Sequence, residues 1–189
     1  MKKLIAGLLA VLYAGIVVSP AYARECAGVR MPESIQVDGT TLHLNGVGIR
    51  EATIFQANVY VAGLYVETTS RNATEILNSD TRKRIVLHFV HDVSREQFQE
   101  ALREGFTNNA PGTDRAKINR LVGWASAMNV GQVMSMTYVP GRGTEVIING
   151  TSRGTIEGAD FGRAVFSLYI GSHPPNRGLR TGLLGGHCG

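Results

Sequence analysis

One stretch of the chain sets residues that could do chemistry in a row. Alternate side chains of a strand share a face, so Leu42, Leu44, Gly46, Gly48 and Arg50 line up together. Two positions in that row lack a side chain and the row ends in a guanidinium, which describes an apolar slot leading to a cation. A slot of this kind suits an amphiphile. The missing side chains leave room for a chain or ring, and the arginine grips a carboxylate or phenolate through paired N–H donors. The competing reading is a bulged strand with a surface arginine, because glycine often marks bulges and one bulge reverses the face of Arg50.

Other chemistries find little footing. Neither a phosphate-binding loop nor a Gly-x-Ser-x-Gly elbow occurs, and Gly46-Val47-Gly48 begins a dinucleotide fingerprint only to meet Glu51 at the third glycine's place. His88 and His91 lie three apart on an expected strand and so point to opposite faces, which rules them out as a chelating pair. His187-Cys188 could be a base beside a thiol, but neighbours in a tail are poorly preorganised for nucleophilic work. No metal and no cofactor are therefore expected.

The first 23 residues read as a secretory signal peptide: Lys2 and Lys3, an apolar run from Leu4 to Val18, then Ala21-Tyr22-Ala23 as the cleavage context. Fifteen residues at 1.5 Å each cover about 22 Å, short of a ~30 Å hydrocarbon core. Residues 24–189 are then expected to form one domain in the periplasm or outside the cell. Removing the two leader lysines leaves 17 basic against 15 acidic residues, too weak a balance for a nucleic-acid surface. Cys26 and Cys188, the two cysteines of the chain, are expected to join the ends in a disulfide. Closing so long a loop is worth on the order of 5 kcal/mol in the chain-entropy picture.

The elements that must position Arg50 follow from periodicity. Asp38-Gly39 between alternating apolar runs predicts a hairpin over 35–44, and 56–67 and 84–91 read as strands. Ser94 and Gln97 form a capping box ahead of a helix over 95–106. A second helix is predicted over 114–128, with Ile118, Leu121, Val122, Ala125 and Met128 on one side and Trp124 in the core. A three-stranded meander over 133–156 follows, turning at Pro140-Gly141 and Asn149-Gly150, then a helix ending near Gly171 and a short Gly-rich helical segment over 176–184. Blocks of strands and helices in this order describe an α+β fold with an antiparallel sheet backed by a layer of helices, an open-faced sandwich.

The stretch Leu44-Asn45-Gly46-Val47-Gly48-Ile49-Arg50, followed by Val61-Ala62-Gly63-Leu64-Tyr65-Val66-Glu67, resembles the chalcone isomerase-like family, whose opening reads Leu-x-Gly-x-Gly-x-Arg before a strand ending Gly-Val-Tyr-Leu-Glu. Val139-Pro140-Gly141 and Ile170-Gly171-x-His173 extend the resemblance over most of Leu42 to Leu184. It implies that Arg50 matches the arginine with which plant enzymes hold the anionic oxygen of their substrate. It also implies that their other polar catalytic positions have changed: a threonine falls on Tyr60, a helical tyrosine and asparagine on Phe98 and Gly105, and a second threonine on Leu168. Non-catalytic members of the superfamily grip the carboxylate of a long-chain fatty acid with an arginine and a tyrosine, and Arg50 and Tyr60 are similar to that pair.

The leader and the resemblance together lead to an exported binding protein for a fatty acid or similar amphiphilic carboxylate, with Arg50 as anion anchor, Tyr60 as hydrogen-bond donor, and Phe98, Phe106 and Leu168 lining the apolar part. The rival is an isomerase or intramolecular lyase on a phenolic or enone substrate, against which the lost donors argue. A third reading is a structural or accessory envelope protein whose slot is filled permanently by its own side chains, so that Val at Gly46 or Gly48 would destabilise without affecting any ligand.

Overall fold

A computed structural model describes residues 23–52 and 57–188; the leader expected over 1–23 lies, but for Ala23, outside the described residues. Seven antiparallel strands form the sheet: β3 (Ser34–Val37), β4 (Thr40–Glu51), β5 (Asn58–Val66), β6 (Lys83–Phe89), β7 (Val133–Val139), β8 (Gly143–Ile148) and β9 (Thr151–Ile156), each paired with the next in sequence. A separate hairpin precedes them, β1 (Ala23–Cys26) with β2 (Val29–Pro32). The helices are α1 (Ala73–Asn78), α2 (Arg95–Asn109), α3 (Arg115–Trp124), α4 (Ala159–Ile170) and α5 (Arg177–Leu183).

Local chemistry accounts for most boundaries. Asp38-Gly39 and Asn149-Gly150 turn their hairpins with both residues at positive φ, 48° and 76° in the first and 50° and 77° in the second, the two-residue turn whose twist matches the strands. Ser94 and Gln97 exchange both capping-box hydrogen bonds at the start of α2. Alternate buried and half-buried residues along Lys83–Phe89 make β6 a strand with one face against the helices. Among the described residues no helix is long and apolar enough to cross a membrane.

Two cores flank the sheet. Between sheet and helices lies the larger, built from Leu64, Leu87, Met134, Met136 and Val146 below and Phe98, Leu102, Phe106, Phe161, Val165 and Leu179 above. On the other face the β1–β2 hairpin covers Leu42, Leu44, Val47, Ile49, Val61 and Tyr65 with Val29 and Met31. The ends meet there: Cys26 and Cys188 form a disulfide with their Cα atoms 6.0 Å apart across 162 residues of sequence, within the ordinary span of such bonds.

The second helix stops earlier than its periodicity suggests. It ends at Trp124 rather than Met128 because Met128 leaves the helix to form an antiparallel bridge with Val93, exchanging backbone hydrogen bonds of 2.8 and 2.9 Å. The amide of Gln99 donates to the carbonyls of Val122 and Ala125 and closes the helix end. Ala125 and Met128 are still buried, as their apolar nature demands, but on extended chain. Trp124 is half-buried, its ring edge against Gly154 and its face under Arg120.

Candidate functional site

The row of residues on β4 is divided by a bulge. Leu44 pairs with Tyr65 and Gly46 with Leu64, so Asn45 is an extra residue in the ladder. Leu42 and Leu44 therefore face the β1–β2 hairpin, and Gly46, Gly48 and Arg50 turn to the helix side with Leu64, Ala62 and Tyr60, their partners on β5. The single continuous row expected from strict alternation is thus two half-rows, and the half bearing the glycines and the arginine is the one under the helices.

Asn45, which the sequence did not single out, makes the bulge worth its cost. Only 6% exposed, it donates from Nδ2 to the carbonyl of Leu183 at 2.7 Å and accepts at Oδ1 from the backbone N–H of Ser70 at 2.8 Å. A buried amide with both ends satisfied fixes the close of α5 against the loop before α1.

The space over the two glycines is occupied by the chain itself. A Cβ on Gly46 would overlap the carbonyl oxygen of Gly182, and one on Gly48 the carbonyl of Leu179, while a Cβ on Gly182 would overlap the carbonyl of Val47. Three glycines thus let helix α5 lie backbone to backbone on strand β4. The slot expected at Gly46 and Gly48 is closed by α5, so these two residues seat a helix rather than face open space. What they control is where α5 begins, and its beginning holds Arg50.

Arg50 stands at the end of β4, half-buried, donating from one terminal nitrogen to the carbonyls of Glu51 at 2.6 Å and Pro175 at 3.3 Å. Asn176 ties the same junction by donating to the carbonyl of Ile49 at 3.0 Å. Tyr60 lies directly opposite Arg50 in the β4–β5 register, the position where cross-strand side chains touch. Tyr60 is 7% exposed and Tyr169, on α4, 3%. Burial pushes both phenols well above their ordinary pKa; the Arg50 charge offsets a part of this for Tyr60, and Tyr60 adds to it for Tyr169. Both hydroxyls therefore keep their protons at neutral pH and act as donors. Among the described residues the one tyrosine hydroxyl with a hydrogen-bond partner is that of Tyr138.

The apolar residues expected around the site share this interior. Tyr60, Phe89 and Phe98 form a chain of edge-to-face rings with centroids 5.5 and 5.4 Å apart. Leu168 packs on Gly105, where a Cβ would come within 2.8 Å of its Cγ, and Phe106 stacks on Phe161 at 5.9 Å. The other edge of Phe106 borders a cavity of about 370 Å³ between α2 and α3. A second cavity, of about 790 Å³, lies at the far end of α5; neither is lined by Arg50 or Tyr60. Among the described residues no group of three or more His, Cys, Asp or Glu side chains is placed to hold a metal ion.

The geometry meets known proteins at two levels. The model of the family described as chalcone isomerase-like matches residues 23–185. Among solved structures, the crystal structure of an Arabidopsis thaliana fatty-acid binding protein is similar, with a TM-score of 0.67 at 20% identity, covering 89% of this chain and 95% of that one. No match was found among curated protein sequences. The chain belongs to the chalcone isomerase-like family, and its antiparallel sheet backed by helices is that family's α+β fold.

Proposed function

For this chalcone isomerase-like chain we propose a binding function: an exported, non-catalytic carrier or sensor of a fatty acid or similar amphiphilic carboxylate. The observation that carries the reading is the cross-strand pair Arg50–Tyr60 on the helix side of the sheet, with the Tyr169 phenol beside it and an apolar interior behind. A carboxylate there would take a charge-assisted bond from the free side of the Arg50 guanidinium and neutral bonds from one or both phenols. That is enough to satisfy a buried anion.

The tail would run among Phe98, Leu168 and Phe106 toward the cavity between α2 and α3, turning the Phe89 and Phe98 rings aside as it enters. The fatty-acid binding role of the similar Arabidopsis protein agrees with this assignment. Isomerisation finds less support. The positions that the family's enzymes fill with asparagine and threonine are here Gly105 and Leu168, packed on one another, and two phenols held protonated offer no base at neutral pH. Export rests on the apolar leader and is supported by the Cys26–Cys188 pairing, which suits an oxidising compartment.

Native mass spectrometry of protein purified from an exported source, followed by solvent extraction, tests the proposal. A co-purifying long-chain fatty acid that is lost from Arg50→Ala and partly kept by Arg50→Lys is the expected result. Protein that neither carries nor takes up fatty acids, or an Arg50→Ala variant with unchanged affinity, would overturn it.

A further inference from the structure

The cavity of about 790 Å³ at the C-terminal end of α5 is a different site from the one at Arg50, which adjoins the helix's other end. Arg24, Arg71, Arg180 and His187 line it with Thr181 and the backbone of Gly185 and Gly186; no carboxylate is among its lining residues. Three guanidiniums gathered on one concave surface repel each other, and a chain that needed them only for solubility would scatter them.

Their placement is enforced instead. Arg24 precedes Cys26 by two residues and His187 adjoins Cys188, so the disulfide brings Arg24 and the His187 ring to one end of the fold. Arg71 follows Ser70 and the rim at Leu184 follows Leu183, and Asn45 hydrogen-bonds Ser70 and Leu183 at once. Two clamps, one covalent and one a buried amide, thus sit one or two residues from the cations they hold.

The cations also keep free donors. Arg180 spends Nε on the carbonyl of Ile170 at 3.0 Å, leaving its terminal nitrogens. Arg24 is paired with Glu33 at 3.1 Å, and both side chains stay about 40% exposed. Arg71 makes no side-chain hydrogen bond or ion pair among the described residues. The carbonyls at the end of α5, which would repel an anion, are largely taken: Arg180 O by Leu184 N, Thr181 O by Gly186 N, Gly182 O by Gly185 N and Leu183 O by Asn45.

We propose that this cavity binds a phosphate-bearing ligand, its dianionic head gripped by Arg71 and Arg180 with Arg24 at the rim. Planar guanidinium forks match phosphate oxygens two at a time, and three of them exceed what one carboxylate would use. The cavity has space for more than the phosphate group alone, so a phosphoester is the fitting class, either free in solution or as the head of a phospholipid.

The test uses the oxidised protein against two probes: glycerol 3-phosphate followed by NMR shifts, and vesicles of phosphatidylcholine with and without phosphatidylglycerol in a sedimentation assay at fixed salt. Binding of at least one probe is expected. Arg71→Gln should weaken it about tenfold or more, as loss of a charge-assisted contact does; Arg153→Gln, the same charge change on an exposed strand, should not. Glycerol 3-phosphate alone would identify a soluble phosphoester, and phosphatidylglycerol alone a lipid head. Arg71→Gln retains its melting temperature on this reading, so a folding defect does not confuse the result. No binding of either probe, or equal binding by the wild type and Arg71→Gln, overturns the proposal. Arg50→Ala leaves this binding intact, which separates it from the carboxylate site.

Discussion

Two of the sheet's cations that lie beside a buried tyrosine, Lys83 and Arg50, are completed differently. On β6, Lys83 is 2% exposed and donates to the carbonyls of Ile76 and Ser79 and to the Ser79 hydroxyl at 2.9, 2.6 and 3.2 Å. Its ammonium lies 5.5 Å from the centre of the Tyr138 ring and 6.0 Å from that of Phe166, and Tyr138 donates to Asp80. Every donor there has an internal acceptor. At Arg50 the guanidinium reaches two carbonyls from one nitrogen and the neighbouring phenols have no acceptor among the described residues. A buried cation with a full set of partners closes the end of α1; a half-buried one with donors to spare is equipped to hold something from outside.

The largest effect should come from the helix that separates these outcomes. Gly46→Ala or Gly48→Ala puts a methyl into the backbone of α5, and neither a strand nor a helix backbone yields cheaply. A loss of about 4 kcal/mol or more, at the upper end for single substitutions, is expected in urea unfolding. Hydrogen exchange should locate the damage in α5 and the Pro175–Asn176 junction, and not around Lys83. Gly63→Ala on the opposite face meets side chains and no backbone, those of Met31, Tyr65 and Leu44 at 3.2, 3.3 and 3.5 Å, and should cost under about 1 kcal/mol. Equal costs at Gly48 and Gly63 would mean that α5 is not seated backbone to backbone.

The Lys83 pair makes a pH prediction of definite sign. Burial lowers its pKa to about 8 from 10.5, with Asp80 offsetting part of the shift. Between those values the unfolded chain holds more protons than the folded one, so this group makes stability rise with pH from about 8 to 10.5. Lys83→Met strips two carbonyls of their donor and should cost about 1–2 kcal/mol at neutral pH. The gap to wild type should then widen, by at most about 3 kcal/mol, across the same window. A gap that is constant or narrows with pH would show the amine to be less desolvated than its surroundings imply.

How far these differences could be read beforehand depended on whether local pattern or tertiary contact decided them. The hairpins at Asp38-Gly39 and Asn149-Gly150, the capped α2 and the Cys26–Cys188 pairing each rest on a few neighbouring residues or on cysteine count, and all stand in the structure. The bulge at Asn45 depends on partners at Ser70 and Leu183, and its one trace in the sequence was an amide inside an apolar strand. The same bulge moved Leu42 and Leu44 to the other side from Arg50. Tyr169 is not legible in the sequence because α4 is buried nearly all round and offers no polar face against which a lone phenol stands out. The short α1, with two buried residues, leaves too little periodicity to detect.

The smallest predicted effect divides the two pairs most directly. Burial and the hydrogen bond to Asp80 raise the Tyr138 hydroxyl to a pKa of about 12, and Tyr138→Phe removes a bond to a charged acceptor, for a cost of about 1 kcal/mol moderated by the exposure of Asp80. Tyr60→Phe removes a buried hydroxyl with no acceptor among the described residues, so its stability should change by less than about 0.5 kcal/mol in either direction. Its affinity for a fatty acid should nonetheless fall, by about tenfold if the phenol donates to the carboxylate. Thermal unfolding and fatty-acid titration of the two variants side by side give four numbers. The comparison holds if stability moves only at Tyr138 and affinity only at Tyr60. If Tyr60→Phe instead costs as much stability as Tyr138→Phe and leaves affinity unchanged, the Tyr60 hydroxyl is structural, and Arg50 is left as the sole polar anchor.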